Sequence, residues 1–68
     1  MDKLKLEYIM KVHGITVEEM SKILGISRSA FYRKCNGKSE FVQSEIQRMI
    51  EILEIDNPME IFFAHKVS

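Results

Sequence analysis

The side chains best equipped for chemistry in this 68-residue chain lie in one stretch, Ser27–Lys38, reading SRSAFYRKCNGK. It holds four cations, Arg28, Arg33, Lys34 and Lys38, and no carboxylate. The guanidinium groups of Arg28 and Arg33 can each donate two parallel hydrogen bonds to guanine O6 and N7. Each such pair is worth ~1–3 kcal/mol of base discrimination. Ser27 and Ser29 can bond a base edge or a phosphate. Lys34 and Lys38 suit phosphate, which adds affinity and salt dependence without choosing a sequence. Lys34 could equally be a solvated surface lysine. Tyr32, one turn from Arg28, is placed to touch a phosphate or a thymine methyl, or to be partly buried.

Other chemistries lack their residues. Cys35, His13 and His65 are scattered, without the short helical or knuckle spacings that a metal or nucleophile site needs. Cys35 is expected to be a small core residue, His13 a polar residue near a helix end, and His65 a surface residue. No glycine-rich phosphate loop and no carboxylate pair in a cleft-like context occurs. An enzyme is not expected, nor is a cofactor, a metal or a small-molecule ligand. A single cysteine cannot close an internal disulfide and fits a reducing compartment. Met1–Met10 alternates charged and apolar residues, unlike a signal peptide, and no apolar run approaches the ~20 residues of a membrane span. The expectation is a cytoplasmic protein forming a single domain over residues 1–68, with a modest core.

The formal net charge is zero, which taken alone argues against nucleic acid as a partner. The distribution argues for it. Against the cationic stretch stand six acids from Ser39 to Ser68 (Glu40, Glu45, Glu51, Glu54, Asp56, Glu60), offset there by Arg48 and Lys66. Charges more than ~8–10 Å apart are largely screened, so a local basic patch can act by itself.

Five short helices are needed to position these groups. Leu6, Ile9 and Met10 share one face of a helix over Leu4–His13, ended by Gly14. Thr16 and Glu19 form a capping box for a second helix over Val17–Leu24, with Met20 and Leu24 as its core pair. Gly25 supplies the positive φ of a sharp turn, and Ile26 plugs it. Ser27 caps a third helix running to about Cys35, with Ala30, Phe31 and Cys35 inward and Arg28, Ser29, Tyr32 and Arg33 outward. Asn36–Gly37 ends that helix. Phe41 is expected to anchor the next connection. A fourth helix over Gln43–Leu53 places Ile46, Met49, Ile50 and Leu53 on one face. Its cap position holds Val42, which has no side-chain acceptor, so that end should fray or be capped otherwise. Asn57 followed by Pro58 starts a fifth helix to about Ala64, offering Ile61 and Phe62 to the core. The fold class is all-α: a compact five-helix bundle with a helix-turn-helix at about residues 16–36.

The run Gly14-Ile15-Thr16-x-Glu18-Glu19-Met20-Ser21-x-x-Leu24-Gly25-Ile26-Ser27, followed by Asn36-Gly37-Lys38, resembles the Cro/cI-type helix-turn-helix domains of phage and bacterial repressors, the xenobiotic-response-element family. Glu40-Phe41, the Ile46…Leu53 helix and Pro58-Met59-Glu60-Ile61-Phe62 extend the resemblance over almost the whole chain. It implies a lambda-repressor-like domain that binds double-stranded operator DNA, usually as a dimer on a two-fold site. Carried over by position, it puts Ser27, Arg28, Ser29 and Arg33 at base edges, and Thr16 near the phosphate backbone. Asn36, Gly37 and Lys38 fall in a second backbone-contact region. Two departures stand out. Many members have Gln after the Thr cap, where its amide contacts phosphate; here Val17 cannot. Some carry a buried Arg–Glu pair at positions that match Met10 and Cys35, an apolar pairing here.

Two functions follow. The first is a sequence-specific DNA-binding transcriptional regulator, a repressor of phage or prophage type, with its recognition helix over about residues 27–35 in the major groove. The alternative is a non-catalytic interaction module of the same fold acting through helices 4 and 5, suggested by the acidic C-terminal half. Phe63, following Ile61 and Phe62, supplies more apolar surface than one short helix can bury. It marks a homodimer interface, unless helix 5 rotates to pack both rings inside.

Overall fold

The computed structural model describes residues 1–63. Within them the chain forms α1 (Lys3–Val12), α2 (Val17–Leu24), α3 (Arg28–Cys35), α4 (Gln43–Leu53) and α5 (Met59–Phe62). No strand occurs among the described residues.

Local chemistry explains where most helices begin. Asp2 accepts the Lys5 N–H at 3.1 Å and caps α1 one residue earlier than its apolar spacing suggests. The Asp2 N–H also donates to Ile61 O at 2.7 Å, tying the N-terminus to α5. Thr16 Oγ1 accepts the Glu19 N–H at 3.1 Å, and Glu19 Oε1 accepts the Thr16 N–H at 2.9 Å, closing the expected box. Ser27 Oγ accepts the Ala30 N–H at 3.0 Å at the start of α3. The α2–α3 turn rests on Gly25 at φ +72°, a left-handed conformation that costs an L-residue with a Cβ ~1–2 kcal/mol.

The ends of α4 are solved differently. Val42 has no acceptor, but Glu45 Oε1 reaches back to accept its N–H at 2.9 Å. At the other end Glu54 adopts φ +51°, and Ile55 N–H donates to Ile50 O at 3.1 Å. This is a left-handed helix stop built without glycine. The last helix is shorter than expected. It begins at Met59 with Pro58 in the cap position, and Ala64 and His65 lie outside the described residues.

The five helices share one core of Leu6, Met10, Met20, Phe31, Cys35, Met49, Leu53, Ile55, Ile61 and Phe62. Met10 and Cys35 are both buried in it. Leu24, expected as a full core partner of Met20, is only half-buried. Ser21 is buried with its hydroxyl donating to Val17 O at 2.8 Å, which satisfies the group without a partner from another helix. Phe41 anchors the α3–α4 connection as expected. Its ring stands edge-on to Phe31 at 5.6 Å and to Phe62 at 6.3 Å, geometries that aromatic quadrupoles favour. α3 is therefore held from behind by a continuous apolar wall, leaving its outer face to solvent.

Candidate nucleic-acid interface

The outer face of α3 carries the side chains singled out above. Ser27, Arg28, Ser29, Tyr32 and Arg33 are all exposed, as are Asn36, Gly37 and Lys38 just beyond the helix. Phe31 and Cys35 lie on its buried face. A helical pitch of 3.6 residues separates the two sets, since positions 28, 29, 32 and 33 recur at three- and four-residue intervals. Arg28, Arg33 and Lys38 have no ion-pair partner among the described residues. Their charge therefore faces solvent uncompensated.

Lys34 is placed differently from the phosphate-facing position expected of it. Its ammonium lies 2.6 Å from Glu45 Oε1, with side-chain exposures of 15% and 9%. It also sits 5.9 Å from the centre of the Phe41 ring. A lysine so enclosed by a carboxylate and an aromatic face belongs to the junction of α3 with α4. The cationic stretch thus presents three outward charges rather than four.

Thr16 is exposed, but its hydroxyl is already committed to the capping box, donating to Glu19 Oε1 at 3.0 Å while accepting the Glu19 N–H. These bonds, the backbone one foremost, hold the Glu19 carboxyl below its ordinary pKa. Ser27 Oγ likewise serves the cap first, as its N-terminal position requires. Tyr32 is about half exposed, its ring edge-on to Phe31 at 6.5 Å, so it is anchored at one side and open at the other.

One residue near this surface was not legible in the sequence. Lys3 Nζ donates to Asn36 Oδ1 at 2.9 Å across 33 residues of chain. The bond orients the Asn36 side chain and brings a further cation to the C-terminal end of α3. Only tertiary packing of α1 against α3 joins them, and no local pattern could signal it. The same packing buries Cys35, whose thiol is pushed up to about 11, chiefly by desolvation.

A shallow groove of about 160 Å³ lies between α2 and the start of α4, lined by Ile23, Leu24, Ser44, Glu45 and Arg48. It is open and small, and its Glu45 is the residue that pairs with Lys34. No cluster of three metal-ligating side chains occurs among the described residues. No helix among them is long and apolar enough to cross a membrane.

Comparison with known proteins bears on this surface directly. Searches of curated proteins and of solved structures gave no match. A family model described as a Cro/C1-type HTH DNA-binding domain matches residues 5–62, spanning all of α2 to α5 and most of α1. The exposed, acid-free helix α3, braced by α2 through a glycine turn, therefore has an established context: this chain belongs to the Cro/C1-type helix-turn-helix DNA-binding family.

Proposed function

We propose that this protein is a sequence-specific transcriptional regulator that binds double-stranded operator DNA by inserting α3 in the major groove. The observation that carries the reading is the outward, unpaired placement of Arg28 and Arg33 on a helix whose other face is locked into the core. Arg28 and Arg33 read guanine edges, with Ser27 and Ser29 supplementing them at bases. Asn36, Gly37 and Lys38 hold the phosphate backbone, Tyr32 contributes from the side, and Thr16 approaches the backbone at the start of α2. Lys34 is left out of this set, because its ammonium is engaged by Glu45. The residues form one domain over 1–68 in this reading, acting in the cytoplasm as a repressor of phage or prophage type.

A two-fold operator and a homodimer complete the proposal. Phe63 is 48% exposed and Met59 is exposed as well, whereas Phe62 is buried, which supports a contact between copies through the α5 end. Half-sites one helical turn apart, ~34–36 Å, would match such a two-fold pair.

The interaction-module alternative loses part of its motive. Of the C-terminal acids, Glu45 is bound to Lys34, Glu60 to Lys5 at 2.7 Å, and Glu54 lies 3.6 Å from His13. Of these, the nearly buried Glu45 is committed to holding α3 against α4, while Glu54 and Glu60 stay largely exposed.

Selection from a random pool of duplexes tests the proposal. It should enrich a motif, bound with a steep salt dependence, and Arg33→Ala should relax preference at one base position by ~1–3 kcal/mol. Absence of any enriched motif, together with unchanged binding by Arg28→Ala and Arg33→Ala, would refute it.

A further inference from the structure

The outer face of α1 carries an apolar row that the core does not use. Leu4, Tyr8 and Val12 are 76%, 68% and 63% exposed. Their spacing of four residues places them along a single ridge of the helix. A ridge of this kind covers a few hundred Å², the scale at which an exposed apolar patch marks a contact site.

The two neighbouring ridges differ. Lys5, Ile9 and His13 border it on one side and are stitched to the protein: Lys5 pairs with Glu60, and His13 lies against Ile9 O and Glu54. Lys3, Glu7 and Lys11 border the other side. Lys3 is held by Asn36, but Glu7 and Lys11 have no ion pair among the described residues. An apolar row with an unpaired acid and an unpaired base on the same flank is complementary to itself.

The geometry points to a second copy of this chain as the occupant, docked α1 against α1 about a two-fold axis near Tyr8. Such an axis runs the helices antiparallel, sets Leu4 toward the partner's Val12, and keeps like flanks together. Glu7 then meets the partner's Lys11, and the symmetry repeats the pair, as an isologous contact requires. A few hundred Å² per copy is below the ~800 Å² per partner of a standard interface, so the contact is weak in free solution. On DNA, where neighbouring copies are held close, effective concentration would make it cooperative; that consequence rests on the DNA-binding reading above. The contact proposed here does not call on Phe63.

Sedimentation of the full chain from micromolar to about 1 mM tests the contact without DNA. The expected result is concentration-dependent dimerisation, weakened at least tenfold by the triple exchange Leu4→Gln, Tyr8→Gln and Val12→Gln, with helicity retained because all three are exposed. Glu7→Lys and Lys11→Glu should each weaken it, and the two together should restore it. Phe63→Ser, measured in parallel, separates this face from the α5 end. A chain monomeric throughout, association lost only in Phe63→Ser, or a double charge exchange that fails to restore dimerisation overturns the inference.

Discussion

The Lys34 ammonium and the Glu45 carboxylate meet at 2.6 Å, and the same Glu45 oxygen accepts the Val42 N–H at 2.9 Å. One nearly buried atom thus joins α3 to α4 and caps the helix whose own cap residue has no acceptor. Removing Glu45 would leave both a cation and a backbone donor unpaired.

Glu45→Ala should accordingly cost about 3 kcal/mol, in the range for breaking one side of a buried pair, read by urea unfolding. Lys34→Met should cost much less, because Glu45 keeps the Val42 N–H and the methionine stem fills the same space beside Phe41. DNA binding separates the two lysines. Lys38→Ala should reduce the slope of log K against log salt by about 1, and Lys34→Met should leave it unchanged.

Glu54 ends α4 at φ +51°, a conformation glycine adopts freely. Its carboxylate is 83% exposed beside His13, so that contact adds little. Glu54→Gly should raise stability by up to about 1 kcal/mol, seen as a higher thermal midpoint. A drop of that size would show that the His13 contact outweighs the strain.

Acid should weaken the domain through Glu19 and Glu60. Both carboxyls are held below their ordinary pKa, Glu19 by the Thr16 backbone and side chain, Glu60 by the Lys5 ammonium. A depressed folded-state pKa means that the stabilisation is complete above the unfolded value of ~4.3. It is then lost as pH falls through the folded-state values. Glu19→Gln keeps an acceptor for the Thr16 N–H without a titrating group. Its unfolding profile should therefore be flatter below pH ~4.3, and an unchanged profile would contradict the assignment.

Cys35 should resist thiol reagents in the folded state. Its thiol is buried and raised to about 11, so almost no thiolate exists near neutral pH. Labelling at pH 8 should be slow without denaturant and immediate in it. Because the folded value is raised, any stability the protonated thiol contributes is lost as pH rises above the unfolded value of ~8.5.

The readable parts of the fold are those governed by neighbours in the chain. Thr16 and Glu19, Ser27 and the turn at Gly25 satisfy their hydrogen bonds and dihedrals within four residues, so α2 and α3 begin and end as their residues indicate. The α4 range follows equally from its apolar spacing. Asp2 caps α1 ahead of the point where the apolar spacing starts, and α5 falls short where Pro58 takes the cap position.

The sequence by itself determined five helices, the inward set of Phe31, Cys35, Met49 and Leu53, and the outward side of α3, because helical periodicity is a local property. Tertiary structure decided which charges remain free. Lys34 and Lys38 look alike in an acid-free run, yet one closes on Glu45 across 11 residues and the other stays in solvent. Lys3 reaches Asn36, and Lys5 reaches Glu60, over still longer separations. Ion pairing depends on distance in space, which a linear count of charge does not contain. The physical reason is that Coulomb and hydrogen-bond energies act over a few ångströms, and only packing of α1, α4 and α5 around α3 brings those atoms within reach.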